Sequence, residues 1–257
     1  MPLIGSLKTL LLRGLLAGLI AGLLAATVGY FIGEPQVDAA IAIEEAGSAA
    51  HAHAPDAAEG HSHGDDALVS RSGQKAGQFL ALGLAGLAFG ALFASAVNVA
   101  RRFTSLSGTQ LSLTTAGLAW TAIVAVPFFK YPANPPAVGD PETINERTWL
   151  WVAVVVLGLL AVAAAVAAYR ALAGMETLRL IAGVAAFVVV TTVGYVLLPG
   201  VNEVADDFPA TLLWNFRVAS LAQTTTLWVS LGLAFAALTE FAARRSTAVV
   251  DKVPTAG

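Results

Sequence analysis

The sequence predicts an all-α protein, a polytopic membrane helix bundle with about six transmembrane helices, and three observations carry that prediction. Of its 257 residues 57% are hydrophobic and only 12% charged, with a mean hydropathy of +0.74. That balance leaves too few polar groups to coat a water-soluble surface of this size. The apolar residues fall into blocks close to the ~20 residues with which a helix crosses a ~30 Å hydrocarbon layer. Between the blocks, prolines, asparagines and charges gather in short segments that read as connections.

The blocks occupy residues 11–32, 77–100, 111–129, 149–169, 180–198 and 218–238. They are read as one transmembrane domain over 1–257, with a long external loop at 33–74. The first block carries Lys8 and Arg13 at its start, as a secretory signal does. Its apolar run is longer than a signal core and further spans follow, so it is read as a retained helix. Gly14, Gly18 and Gly22 recur at intervals of four, which puts a smooth seam on one helical face where a second helix can approach closely. Gly86 and Gly90 form a second such pair.

Charge orients the bundle. Six spans place nine basic residues on the side that holds both termini, against Glu176, Glu240 and Asp251. The opposite side holds five basic residues and fourteen acids, so the two faces carry formal charges of +6 and −9. Lys and Arg flanking spans favour the cytoplasmic side, so both termini are expected in the cytoplasm, in a multi-pass protein of the cytoplasmic (inner) membrane.

The residue inventory excludes several functions. Cysteine is absent and methionine occurs only at Met1 and Met175, which disfavours disulfides, iron–sulfur clusters, zinc fingers and soft Cu(I) sites. No histidine lies in a predicted span, so a bis-histidine haem within the bilayer is excluded. No span carries a His, Cys or paired carboxylate suited to acid–base or nucleophilic work, and the chain is read as not an enzyme. It has no G-x-x-x-x-G-K-[ST] string and does not itself hydrolyse ATP. A net charge of −3 gives no reason to expect nucleic acid as a partner.

Three segments hold the candidate chemistry. All four histidines lie in the 33–74 segment as two H-x-H pairs, His51 with His53 and His61 with His63, among Asp56, Glu59, Asp65 and Asp66. Imidazole with carboxylate suits borderline divalent cations, and the Ala-, Gly- and acid-rich tract around the pairs is expected to be a flexible loop able to fold about an ion. The second segment is FKYPANPPAVGDPETINERT at 129–148. Its four prolines cannot continue a helix, and it concentrates Lys130, Tyr131, Asn134, Asp140, Glu142 and Arg147 at the end of the third span. Fixed oxygens there could replace an ion's water shell, with Lys130, Arg147 and Arg217 expected to hold the carboxylates. The third is the start of the sixth span, where Arg217, Ser220 and Thr224 share one helix face. Polar residues at such depth face a bundle interior or cavity.

These motifs resemble the CbtA family, a proposed cobalt transporter subunit associated with cobalamin synthesis. The resemblance runs through GLLAGLIAGLLAA, GEPQVDAAIAIEEA, SRSGQKAGQF, KYPANPPAVGDPETINERT and LLWNFRVASL. It implies cobalt uptake across the cytoplasmic membrane as the main membrane subunit, with a small one-span CbtB-type partner that bears a histidine-rich end. It adds Glu34, Asp38, Glu44, Arg71 and Thr143 to the candidate residues as motif members. Membrane lipid and a divalent metal ion are the other expected partners. No cofactor is expected to be tightly bound, Co²⁺ being transported or loosely held, with Ni²⁺ or Zn²⁺ suiting the same ligands. The family is described with five spans against the six read here. The rival reading is a metal-binding membrane scaffold or assembly subunit with no transport activity of its own.

Overall fold

The computed structural model describes residues 3–52 and 69–250, with side chains described over 3–47 and 69–244. Among the described residues every regular element is helical. The helices are α1 (Leu7–Val28), α2 (Glu34–Ala52), α3 (Arg71–Ala100), α4 (Gly108–Trp120), α5 (Val126–Lys130), α6 (Ile144–Ala171), α7 (Glu176–Leu197) and α8 (Ala210–Val250). A π turn at Gly29–Gly33 joins α1 to α2, another at Thr121–Ala125 joins α4 to α5, and a 3₁₀ turn at Pro141–Thr143 leads into α6. Six continuous helical stretches are long and apolar enough to cross a membrane: Leu7–Gly47, Arg71–Ala100, Gly108–Lys130, Pro141–Ala171, Glu176–Leu197 and Ala210–Arg244.

The number of spans follows the hydropathy pattern, but the ends do not. Residues 34–52 and 71–74, expected within a loop, are helical. The stretch EPQVDAAIAIEEA is polar enough to end an apolar block yet rich in Ala, Glu and Ile, which carry a helix well. Polarity was read as irregularity, whereas a helix leaving hydrocarbon for water changes its composition and not its backbone. The same reasoning extends the sixth helix back to Ala210.

Both π turns have one cause. Each stands two residues before a proline, Pro35 and Pro127. A proline has no N–H to give the carbonyl four residues earlier, and its ring collides with that carbonyl. Widening one turn moves the carbonyl aside and lets the helix continue.

Contacts divide the chain into two compact units. The first comprises Met1–Val28, Ala76–Ala119 and Gln223–Gly257. In it α1 and α3 meet along their glycines: a Cβ on Gly14, Gly18 or Gly22 would run into the carbonyl oxygen of Gly90, Gly86 or Leu82 respectively. The descending partner numbers make the two helices antiparallel. Phe93 meets Phe235 edge-on at 5.4 Å, and Phe89 lies 5.6 Å from Trp228. Leu10, Val97, Leu231 and Phe235 are fully buried. Arg101 closes one end by donating to Leu3 O (3.3 Å) and Gly5 O (3.0 Å).

The second unit comprises Gly29–Lys75 and Trp120–Ala222. Here α6 and α7 pack antiparallel, Gly194 against Leu157 and Gly183 against Ala165, and Gly158 lies on the backbone of Ala122 in the π turn. Lys130 at the end of α5 donates to Tyr195 O (2.9 Å) and Leu198 O (2.8 Å), satisfying carbonyls that the end of α7 leaves without helical partners. Tyr195 donates its hydroxyl to Val126 O, and Tyr131 donates to Pro199 O at 2.7 Å. Only 6% of the apolar window of α7 is buried, and Val196 and Leu197 are more than three-quarters exposed. A helix with such a surface needs hydrocarbon as its solvent.

The glycine seam generates a test in detergent-solubilised protein. Gly18→Val should cost about 1–3 kcal/mol, since a side chain there must separate two backbones. Gly77→Ala, in open space, should be neutral or stabilise by up to about 1 kcal/mol. Melting temperatures check the pair, and equal effects would mean that the seam is not close-packed.

Candidate functional site

Beyond Lys130 the chain leaves the helix because Pro132, Pro135 and Pro136 remove three backbone donors within a short segment. Val138 N donates to Pro135 O at 3.3 Å, and the turn is completed by positive φ at Ala137 (66°) and Gly139 (115°). Asp140 then caps the 3₁₀ turn, its Oδ1 accepting from Glu142 N at 2.8 Å. That contact aims α6 and sets Thr143 and Arg147 on one side of its start.

These two residues meet Glu203 from the 198–209 connection. Thr143 Oγ1 donates to Glu203 Oε1 at 2.6 Å, Asp140 N donates to Oε2 at 3.0 Å, and Arg147 Nη1 lies 3.2 Å from Oε2. The hydroxyl of Thr143, then the Asp140 amide and the Arg147 charge, hold the Glu203 carboxyl below its usual range against an opposing pull from burial. Arg147 also donates through Nη2 to Asp140 O at 3.1 Å, while its Nε is buried without an acceptor. Gly139 is required here: a Cβ would overlap the Arg147 guanidinium, and φ is in the left-handed region.

Arg217, early in α8, reaches the same proline segment. Its Nη2 donates to Asn134 Oδ1 at 2.9 Å and its Nε to Ala133 O at 3.4 Å. Between these contacts lies a cavity of ≈ 790 Å³, bounded by residues 131–134, the first turns of α6 and α8, and residues 201–204. Tyr131, Asn134, Arg147, Asn202, Glu203 and Arg217 supply its polar wall, with Trp151 and Leu213 among the apolar lining.

The candidates from the sequence are thus divided. Tyr131, Asn134, Arg147 and Arg217 line one cavity. Asp140, Glu142 and Thr143 build the turn beside it, Asp140 as a cap and Glu142 on the exposed side. Ser220 and Thr224, further along α8, are not part of its lining, and Thr224 belongs to the first unit. Glu34 and Asp38 sit apart, both paired with Arg71: Arg71 Nη2 contacts Glu34, Arg71 Nε lies 2.8 Å from Asp38 Oδ1, and Lys75 Nζ lies 2.7 Å from Asp38 Oδ2. Glu44 is exposed on α2. His53, Asp56, Glu59, His61, His63, Asp65, Asp66 and the side chain of His51 lie outside the described residues. Among the described residues no three His, Cys, Asp or Glu side chains cluster as a metal-binding group.

The expected pairing of Lys130, Arg147 and Arg217 with the carboxylates of the proline segment is corrected. Lys130 takes backbone carbonyls, Arg217 an amide oxygen, and Arg147 a carboxylate from another connection. Carbonyls at a helix end in a poorly hydrated region lack water as a partner, so nearby cations serve them first. Glu203 and Gly139 were missed. Glu203 stands in VNEVADDFP among other acids, and no local signal marks it. The signal for Gly139 was present, a glycine directly before Asp-Pro, where a turn needing positive φ is expected.

Comparison with known proteins adds a family match. The model of a family described as "Probable cobalt transporter subunit (CbtA)" matches residues 7–240. No curated protein and no solved structure matches the chain.

The Glu203 clip has a defined pH window. Its carboxyl is held below the ordinary 4.5, so its contribution is complete above that value and is lost as pH falls through its own lower value. The melting temperatures of wild type and Glu203→Gln should therefore differ by a constant amount from about pH 7 to about pH 5. They should converge only in more acid solution. Convergence beginning near pH 6 would mean that the carboxylate is not engaged as described.

Proposed function

The chain belongs to the CbtA family, and from that premise we propose that it is the main membrane subunit of a cobalt-uptake system in the cytoplasmic membrane. The observation that carries this reading is the match across residues 7–240, which takes in five of the six long apolar helices and most of the sixth. A transporter subunit is not an enzyme, and the word subunit implies others; a small one-span CbtB-type protein is the proposed partner. The asymmetry of basic residues supports an arrangement with both termini in the cytoplasm and the proline-rich segment on the outer side.

Each region then has a task. The two H-x-H pairs with Asp56, Glu59, Asp65 and Asp66 raise the local metal concentration outside, since neutral imidazole and carboxylate hold divalent ions loosely. The cavity between residues 131–134, α6 and α8 is the entrance. The Glu203 clip and the Arg217–Asn134 contact support this role, because they fix polar groups around a space at the helix ends without filling it. Glu34 and Asp38 are paired with Arg71, and Asp38 also with Lys75. A passing divalent ion, with Ni²⁺ and Zn²⁺ as competitors of Co²⁺, can take the place of those cations.

The direct test is cobalt uptake by purified protein in liposomes, with and without the one-span partner. Accumulation above protein-free liposomes is expected. Metal binding without accumulation, even with the partner present, would leave only a scaffold role. Asp140→Asn keeps an oxygen for the Glu142 amide and should retain uptake per folded molecule, whereas Asp140→Ala should lose about 1 kcal/mol of stability with the cap.

The histidine tract is tested separately. Replacing His51, His53, His61 and His63 together by Ala should slow uptake at scarce cobalt and spare it at abundant cobalt. Loss at every concentration would put the imidazoles on the pathway itself.

A further inference from the structure

The charge balance of the cavity does not suit a bare cation. Its permanently charged walls are Arg147 and Arg217, against the single carboxylate of Glu203. That carboxylate is already occupied by three donors from Thr143, Asp140 and Arg147. Arg147 is paired with that carboxylate, so the excess positive charge on the wall is that of Arg217. Arg217 gives hydrogen bonds to two uncharged oxygens, and among the described ion pairs it has no carboxylate. Arg147 holds its Nε buried with no acceptor. An entering Co²⁺ would meet two like charges and no free anionic ligand, while a carboxylate would meet in Arg217 a guanidinium that no carboxylate neutralises among the described ion pairs.

Size points the same way. A space of ≈ 790 Å³ falls within the ~300–1,000 Å³ of small-molecule sites and far exceeds what one ion needs. Trp151 and Leu213 give it an apolar wall, and the amides of Asn134 and Asn202 add further polar groups.

We propose that this cavity is an anion site for a small polycarboxylate, and that the metal reaches it as an anionic carboxylate chelate. The second half rests on the transport reading above; the anion site rests on the geometry alone. A divalent ion held by a tricarboxylate carries a net negative charge. The same carboxylate-and-phosphate chemistry is offered by anionic lipid headgroups, so the two sources must be separated.

The test uses the full-length protein in phosphatidylcholine nanodiscs, with citrate, citrate plus equimolar Co²⁺, and cobalt chloride as probes in equilibrium dialysis. Saturable citrate binding is expected, weakened at least about ten-fold by Arg217→Gln and less by Arg217→Lys. Asn202→Asp adds a carboxylate to the cavity wall, and the two possibilities differ in sign: an anion site loses citrate affinity, a cation site gains Co²⁺ affinity. A gain in Co²⁺ affinity overturns the proposal, and so does citrate binding unaltered in both Arg217→Gln and Asn202→Asp. Loss of citrate binding in discs containing phosphatidylglycerol assigns the cavity to lipid headgroups and overturns the substrate role. In proteoliposomes, radiolabelled cobalt should enter faster from citrate than from chloride. The reverse order overturns the chelate as cargo and leaves the transport reading standing. No uptake from either source removes the transport reading and the chelate cargo with it.

Discussion

A peptide group inside hydrocarbon has no water to bond, so each N–H and C=O must find its partner within the protein. Unbroken helix meets that demand, and the points of interest are the places where the helix is interrupted. At the two prolines that fall inside continuous helices, a π turn redistributes the hydrogen bonds and the helix goes on. At true ends, cationic and phenolic side chains serve the backbone. Arg101 covers Leu3 and Gly5, Lys130 covers Tyr195 and Leu198, Arg217 reaches Ala133, and Arg179 reaches Tyr169 O at 3.2 Å. Arg101, Lys130 and Arg217 thus work as donors to carbonyls and take no carboxylate among the described ion pairs.

The two units meet the packing requirement differently. Apolar side chains gain nothing by leaving lipid for one another, so association rests on van der Waals contact and shape. The first unit gets close contact from glycines facing glycines and from a small aromatic cluster around Phe235. The second leaves α7 largely to lipid and fastens its elements by polar contacts at their ends. Polar fastening at the ends leaves room between them, and that room is the cavity.

The arrangement of charge around the cavity follows from which of its polar groups are already engaged. Dehydrating a divalent ion requires oxygen or nitrogen ligands that are not already engaged. Glu203, the carboxylate on the wall, is held by three donors and orders the loop around it. On the same wall Arg147 Nε is buried without an acceptor, and Arg217 bonds two uncharged oxygens.

Composition and the spacing of apolar blocks were enough to read six spanning helices, their all-α character and the glycine faces, because each depends on one segment meeting lipid. The KYPANPPAVGDP string was enough to mark an irregular, polar segment, since prolines so closely spaced cannot all lie within one continuous helix. Neither could show that 34–52 is helical, because hydropathy measures what a residue prefers to touch and not how its backbone is bonded. Nor could they show which partner each cation takes. Lys130 and Tyr195, or Thr143 and Glu203, lie about sixty residues apart in sequence, and only packing of α5, α6 and α7 brings them within bonding distance. The cavity belongs wholly to that second class: it is the space left between four chain segments once their ends are tied, and no single one of them encodes it.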